Sequence, residues 1–375
     1  MTQVLNDDIT RTTRRPPPRR AWRSLIVRRT AFGPDFFLQL FARGSALTIV
    51  LMLASLIVVL GQASVPAIRT FGARFLVTTQ WRANEIEQPK RDAAGKIVFE
   101  DGEAVTETLP PVFGALPVIY GTAVSSAIAL VFAVPLSLGT ALFLIRIAPR
   151  KIAGPVSFLV EFLAAIPSIA YGIWGLFVLA PFLRTVVEPA IVRVLGPVPF
   201  FSWMFHEKIS TGTGTATREL ALTGRDMLCG GLILAIMTIP IITAISRDVL
   251  RAVPRAQIEG ALALGATWWQ SCREMLRYSR SGLFGAVMLG LARAAGETMA
   301  VTMVIGNSMR INPSPLAPAQ TMSSLLANEF AEASNEVHRS ALIEVALILL
   351  VMSLTFNMVA RYLVVGSGSR SAKAH

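Results

Sequence analysis

The sequence is poor in charge, in cysteine and in histidine. Of 375 residues, 15% are Asp, Glu, Lys or Arg, against about 25% in soluble globular chains. With 53% hydrophobic residues and a mean hydropathy of +0.57, that scarcity points to a chain built for a bilayer. Two cysteines, Cys229 and Cys272, argue against a disulfide framework, and they lack metal-ligand spacing. The three histidines, His206, His338 and His375, are scattered and make no metal site. No G-x-x-x-x-G-K-[ST] loop occurs, so ATP phosphates are not cradled here in that way. No Ser/His/Asp, His/Glu zinc or paired-Asp constellation lies at membrane depth. No cofactor is expected, and the chain is read as non-catalytic.

What is present is a series of six apolar segments, at about 45–60 (extendable from 36–41), 117–145, 156–179, 227–245, 282–306 and 341–364. A crossing helix needs about 20 apolar residues. None of the six alternates as the strands of a membrane barrel do. The predicted class is all-α integral membrane, with six transmembrane helices. The charges orient them. The connections 1–43, 146–155 and 246–281 and the tail from 361 hold 21 basic and 6 acidic residues. The connections 61–116, 184–226 and 308–340 hold 13 and 14. By the positive-inside rule this puts both termini and the 246–281 loop in the cytoplasm. The net charge of +12 therefore records topology and contact with anionic lipid, and no nucleic-acid partner is expected.

The expected organisation is a basic, proline-rich, disordered leader within 1–43, a membrane domain over 44–364 and a cytoplasmic tail over 365–375. The first helix reads as an uncleaved anchor. The outside insert 61–116 contains AAGKIVFEDGEAV, which reads as a hairpin about Asp101-Gly102. The inserts at 82–112 and 308–338 show no functional motif.

The cytoplasmic stretch PRAQIEGALALGATWWQSCREMLRYSRSG, 254–282, reads as helix, turn, helix. Pro254 suits a first turn. Gly265 supplies a left-handed stop. Thr267 and Gln270 have the spacing of a capping box. The first helix is small-faced and carries few charges, so something must cover it, either lipid at the interface or protein. Glu259-Gly260-Ala261, with Gly265 four residues on, resembles the EAA loop of binding-protein-dependent ATP-binding-cassette (ABC) importer permeases. Gly260 stands where that family usually has alanine, and Arg277-Tyr278 where it has Leu-Pro.

Three further stretches narrow the resemblance. FGALPVIYGTAVSSAIALVFAVPLSLGTALFL (113–144), AAIPSIAYGIWGLFVLAPF (164–182) and GLARAAGETMAVTMVIGN (290–307) resemble, in order, helices of phosphate-specific permeases of the PstC type rather than its PstA partner. The resemblance implies the type I importer permease fold, with a cytoplasmic coupling helix between helices 4 and 5. It implies residence in the bacterial inner membrane and ATPase coupling through Glu259, Gly260, Ala261 and Gly265. The implied partners are a second permease subunit, ATP-binding subunits and a periplasmic phosphate-binding protein. A PstA-type role or another oxyanion is the alternative within that class. A secondary transporter, a channel or an intramembrane enzyme would lack the EAA-like loop.

Inside the fifth apolar run stand Arg293 and Glu297. A charge at mid-bilayer costs about 2.5–3.5 kcal/mol on insertion scales, so this pair must face protein or water. Four residues apart, the two share a face of a continuous helix. One reading is a salt bridge that pins helices. The other is a guanidinium presented to a passing oxyanion, whose planar fork matches phosphate, tuned by Glu297. Thr298 and Thr302 add hydroxyls along the same path, although either can bond its own backbone. Pro135, Pro167, Pro181 and Pro240 are expected to kink or end helices. Glu161 is placed near the cytoplasmic end of its helix, and Glu344 near Arg339.

Overall fold

The computed structural model describes residues 34–83, 86–89, 99–100, 103–104, 106–211 and 214–372. The expected disordered leader up to residue 33 and the Asp101-Gly102 turn lie outside them.

The first helix, α1 (Pro34–Phe71), has 38 residues and so measures about 57 Å, more than the roughly 30 Å a hydrocarbon core requires. Chain contacts divide at Val58 and Val59. In the first unit every side chain from Phe36 to Val58 is exposed. A helix that is apolar all round and exposed suits lipid, not water.

The second unit begins with the end of α1, then α2 (Arg74–Val77). Two short ribbons follow. β1 (Ile86–Pro89) pairs with β4 (Thr106–Leu109), and β2 (Phe99–Glu100) with β3 (Glu103–Ala104), all antiparallel. The inner pairing, Glu100 opposite Glu103, leaves two residues between the strands, as the hairpin reading requires. Next come α3 (Leu116–Leu142), extended by a π-turn at Phe143–Ile147, and α4 (Arg150–Ala165). Then α5 (Ser168–Trp174), α6 (Ala180–Phe182) and α7 (Glu188–Leu195) are joined by π-turns into one run, Ser168–Leu195. A hairpin of β5 (His206–Thr211) and β6 (Gly214–Glu219) precedes α8 (Met227–Arg251). The chain finishes with α9 (Arg255–Ala263), α10 (Trp268–Tyr278), α11 (Arg280–Gly296), α12 (Met299–Val304), α13 (Met322–Glu329) and α14 (Glu336–Ala372).

Among the described residues five helices are long and apolar enough to cross a membrane: Phe36–Phe71, Leu116–Ile147, Ser168–Leu195, Met227–Arg251 and Glu336–Val359. Two expected segments differ from this set. The third was placed at 156–179, but the helix breaks at Ile166-Pro167, both extended. Pro167 disfavours helical geometry at Ile166, so 150–165 becomes a separate helix and the crossing shifts to Ser168–Leu195. The fifth, 282–306, is not one helix but two, α11 and α12. Pro135 and Pro240 stand inside α3 and α8 without ending them, and Pro181 is carried within the third run.

The core of the second unit is built on α3 and α8. Ala129, Ala133, Leu234, Ala235 and Ile242 are buried together with Ala286, Ala294 and Val301 of α11 and α12. Small residues permit this closeness. At Gly231 a side chain would strike Ile128 of α3, and at Gly290 it would strike Ile242 of α8.

Asp226 caps α8, its Oδ1 accepting from the Cys229 amide at 2.8 Å. Burial pushes its carboxyl above the usual carboxylate range. Two further orphan amides at this terminus are taken from outside the helix: Met227 donates to the Ala317 carbonyl and Leu228 to that of Pro315. The connection after α12 is thus folded back onto the start of α8. Toward the other end of α8, Arg247 pairs with Glu161 of α4 at 2.9 Å. Glu161 therefore anchors α4 rather than merely reaching for water. Glu344 forms no pair with Arg339; it is buried, and its Oε2 has no partner.

Candidate functional site

The charged pair sits where α11 and α12 meet. α11 ends at Gly296; Glu297 is extended (φ −68°, ψ 129°) and Thr298 precedes α12. Arg293 and Glu297 therefore do not share a helix face, and among the described residues neither has an ion pair. The salt-bridge reading fails because the helix stops between them. The stop also offsets a small part of the cost of both charges. Arg293 lies in the last turn of α11, where the helix dipole favours a cation, and Glu297 precedes the start of α12, where it favours an anion. Each such placement is worth about 0.3–1 kcal/mol.

Burial gives Arg293 a direction. α11 packs on α3, α8 and α14 through Leu283, Ala286, Gly290, Ala294 and Ala295, all buried. Leu289, Arg293 and Gly296 are exposed. Spacings of four and three put these on one stripe, the open side of α11. Glu297 is half-buried. A side chain at such a depth does not face lipid as an ion without large cost, so the open stripe faces water or another protein.

The two threonines are turned inward on the backbone. Thr302 Oγ1 donates to the Thr298 carbonyl at 2.8 Å, and Thr298 Oγ1 reaches the Gly296 carbonyl at 3.3 Å. Asn307, in the left-handed region at φ 51°, donates from Nδ2 to the Thr302 carbonyl at 2.9 Å. These groups finish the backbone of a short helix. The sequence reading missed Ser323, whose Oγ donates to the Glu297 carbonyl at 2.6 Å. No local pattern signals this contact, because 26 residues separate the partners.

The second candidate surface is the α9–α10 hairpin. α9 has no buried residue. It ends in a Schellman closure: Ala266 N–H donates to the Ala261 carbonyl at 3.0 Å and Gly265 N–H to that of Leu262 at 2.9 Å, with Gly265 at φ 85°. α10 opens with the capping box. The Gln270 amide donates to Thr267 Oγ1 at 3.3 Å, and the Thr267 amide to Gln270 Oε1 at 2.7 Å. Glu259 and Gly260 are exposed, Ala261 is partly covered, and Leu264 at the tip is 92% exposed. An open groove of about 880 Å³ runs between the helices, lined by Gln257, Gly260, Ala261, Leu264, Glu274 and Tyr278 among others. Behind it Cys272 and Met275 pack on Leu250, Val253 and Leu283. Only Ser279 separates α10 from α11, the helix that carries Arg293.

The chain as a whole has counterparts among known proteins. The family model of the binding-protein-dependent transport system inner membrane component matches residues 133–366. The chain belongs to this family. Among curated relatives, the phosphate transport system permease protein PstC of Mesorhizobium japonicum is 39% identical, over 95% of this chain and 97% of the relative. PstC of Haemophilus influenzae is 37% identical, over 91% and 97%. PstC 1 of Mycobacterium tuberculosis is 36% identical, over 80% and 83%. As a transport permease of this family, the chain is a multi-pass protein of the inner membrane.

Proposed function

We propose that this chain is one of two permease subunits of an ATP-driven phosphate importer, and that Arg293 lines the path of the anion. The observation that carries the reading is the open stripe of α11, where a guanidinium with no ion pair among the described residues stands in a largely apolar segment. The relatives named for phosphate transport support the choice of anion. In this reading α11 and α12 together make the sixth crossing, and the charge bias of the connections puts both termini and the α9–α10 hairpin in the cytoplasm.

The steps follow from the elements. A periplasmic binding protein delivers phosphate on the side of the 308–321 connection. Arg293 attracts it, since a guanidinium offers two parallel donors to phosphate oxygens. Glu297 offsets part of that charge, so the anion passes rather than stays. ATP binding closes two separate nucleotide-binding subunits. Their motion reaches this chain through α9, with Glu259, Gly260 and Ala261 at the docking face and Gly265 at the turn. α10 hands the movement to α11. One chain supplies half of the path, and a second, similar permease supplies the rest.

The test is ATP-dependent uptake of radiolabelled phosphate into vesicles holding the full complex. Arg293→Ala is expected to assemble and lose uptake. Glu259→Ala is expected to lower the amount of ATPase recovered with the complex. Normal uptake by assembled Arg293→Ala complexes would overturn the pathway assignment.

A further inference from the structure

The break between α11 and α12 has no local cause of the usual kind. No proline stands between Arg280 and Val304, and the glycine at the end, Gly296, is not among those with positive φ. A helix that stops inside a bilayer leaves carbonyls without partners, and lipid offers none. Thr298 Oγ1 covers the Gly296 carbonyl at 3.3 Å. The Glu297 carbonyl is taken at 2.6 Å by Ser323 Oγ, on a different helix.

Ser323 is itself held in place. It is 3% exposed and its hydroxyl lies 3.2 Å from Thr321 Oγ1. Its helix, α13, starts with a capping box between Thr321 and Ser324. The first amide of α13, that of Met322, donates to Thr122 Oγ1 of α3 at 2.9 Å, and Thr122 donates onward to the Val118 carbonyl at 2.7 Å. One residue earlier, Gly121 lets the Gln320 carbonyl approach α3 so closely that any side chain would collide with it. Hydrogen bonds of the Thr122 and Ser323 hydroxyls and the Met322 amide thus tie α3, α13 and the residue that follows the end of α11 together.

We propose that Ser323 is a positioning residue for transport: by capping the Glu297 carbonyl it holds the α11–α12 break open and sets where Arg293 and Glu297 stand. The inference rests on the pathway reading above and adds a residue to it. Ser323 touches no anion. It acts through Glu297, and it ties the geometry of the path to the 308–329 segment. Without the hydroxyl, the Glu297 carbonyl must find another partner. In a continuous helix that carbonyl accepts from the amide four residues on, so taking this partner would draw the break toward continuous helix and rotate Arg293 relative to α12.

The test compares Ser323→Ala, Ser323→Thr and Ser323→Cys with the unaltered complex in proteoliposomes containing the binding protein and ATP. Uptake and ATP hydrolysis are both measured per assembled complex. Ser323→Ala is expected to lower maximal uptake about tenfold, the size of effect that an unsatisfied buried carbonyl produces. The half-saturating binding-protein concentration should stay constant, and the ratio of phosphate moved to ATP hydrolysed should fall. Ser323→Thr, which keeps the hydroxyl, should restore the ratio. Ser323→Cys, a weak donor of similar volume, should fall between and serves where the alanine form assembles poorly. A purely structural role would reduce the amount of complex and leave the ratio unchanged, which would overturn the proposal. So would a threonine form as impaired as alanine, or a cysteine form equal to serine. Arg293→Ala in the same series separates the two ideas. If it transports normally, the pathway reading has failed. If it loses uptake while Ser323→Ala keeps a normal ratio, only the positioning role has failed.

Discussion

Two interruptions of helix, less than 35 residues apart, are closed in opposite ways. At the α9–α10 hairpin everything is local: the bonds that end α9 and start α10 lie within residues 260–271. At the α11–α12 junction the decisive bond comes from Ser323, far along the chain. The hairpin is exposed, and in the proposed orientation it stands in water, where an unmet carbonyl finds a solvent partner. The junction lies in an apolar run, where it does not. An interruption in the membrane therefore has to be specified by tertiary structure. It is stable only while the distant segment stays docked.

The largest effect should come from undocking that segment. In Gly121→Ala the new methyl meets the Gln320 carbonyl, which is backbone and cannot rotate away. Overpacking of this kind costs about 1–3 kcal/mol. The Met322–Thr122 bond and the Ser323–Glu297 bond should loosen together. The expected outcome is a lower melting temperature of the purified complex and a severe loss of uptake. Normal melting would mean that the 320–322 segment can shift without cost, and the contrast between the two interruptions would weaken.

The same contrast explains what the sequence allowed to be read. The crossing segments were visible because length and apolarity alone demand them. The hairpin was visible because Gly265, Thr267 and Gln270 carry their instructions in their own side chains. The helix break was not visible. GLARAAGETMAV contains no proline, and its apolar run does not reveal that residues 297–298 leave the helix. So the shared helix face expected of Arg293 and Glu297 is absent, and with it one of the two readings of the pair, while their prominence as the charged residues of that run was plain. The third crossing was set too early for a related reason. Residues 156–165 are as apolar as a crossing segment, and only Pro167 separates them from one. The 308–338 stretch, which has no motif, turns out to cap α8 through backbone carbonyls, which leave no trace in residue type, and to hold the junction through the Ser323 hydroxyl, whose partner no local pattern announces.

A smaller effect should follow at the hairpin turn. Gly265→Ala places a Cβ on a residue at φ 85°, with open space around it, so the cost is backbone strain of about 1 kcal/mol and no collision. The overall melting temperature should barely move, because α9 buries nothing in this chain. What should change is the coupling. ATP hydrolysed per phosphate moved should rise if the turn sets the angle at which α9 meets its partner. A normal ratio would show that the docked partner imposes the turn whatever the residue.

The smallest expected effect has the opposite sign and tests whether α9 is held by its own propensity at all. Gly260 stands mid-helix, and a Cβ there would meet nothing within 4 Å. Gly260→Ala should therefore stabilise α9 by about 0.5–1 kcal/mol. Leu264 N–H, which donates to the Gly260 carbonyl at 3.2 Å, is a convenient reporter. Its hydrogen exchange should slow by roughly two- to fivefold, with no change at α11. A slowing that also reached the amides after Gly296 would mean that the hairpin and the junction form one cooperative unit. The two interruptions would then differ in how they are closed but not in how they open.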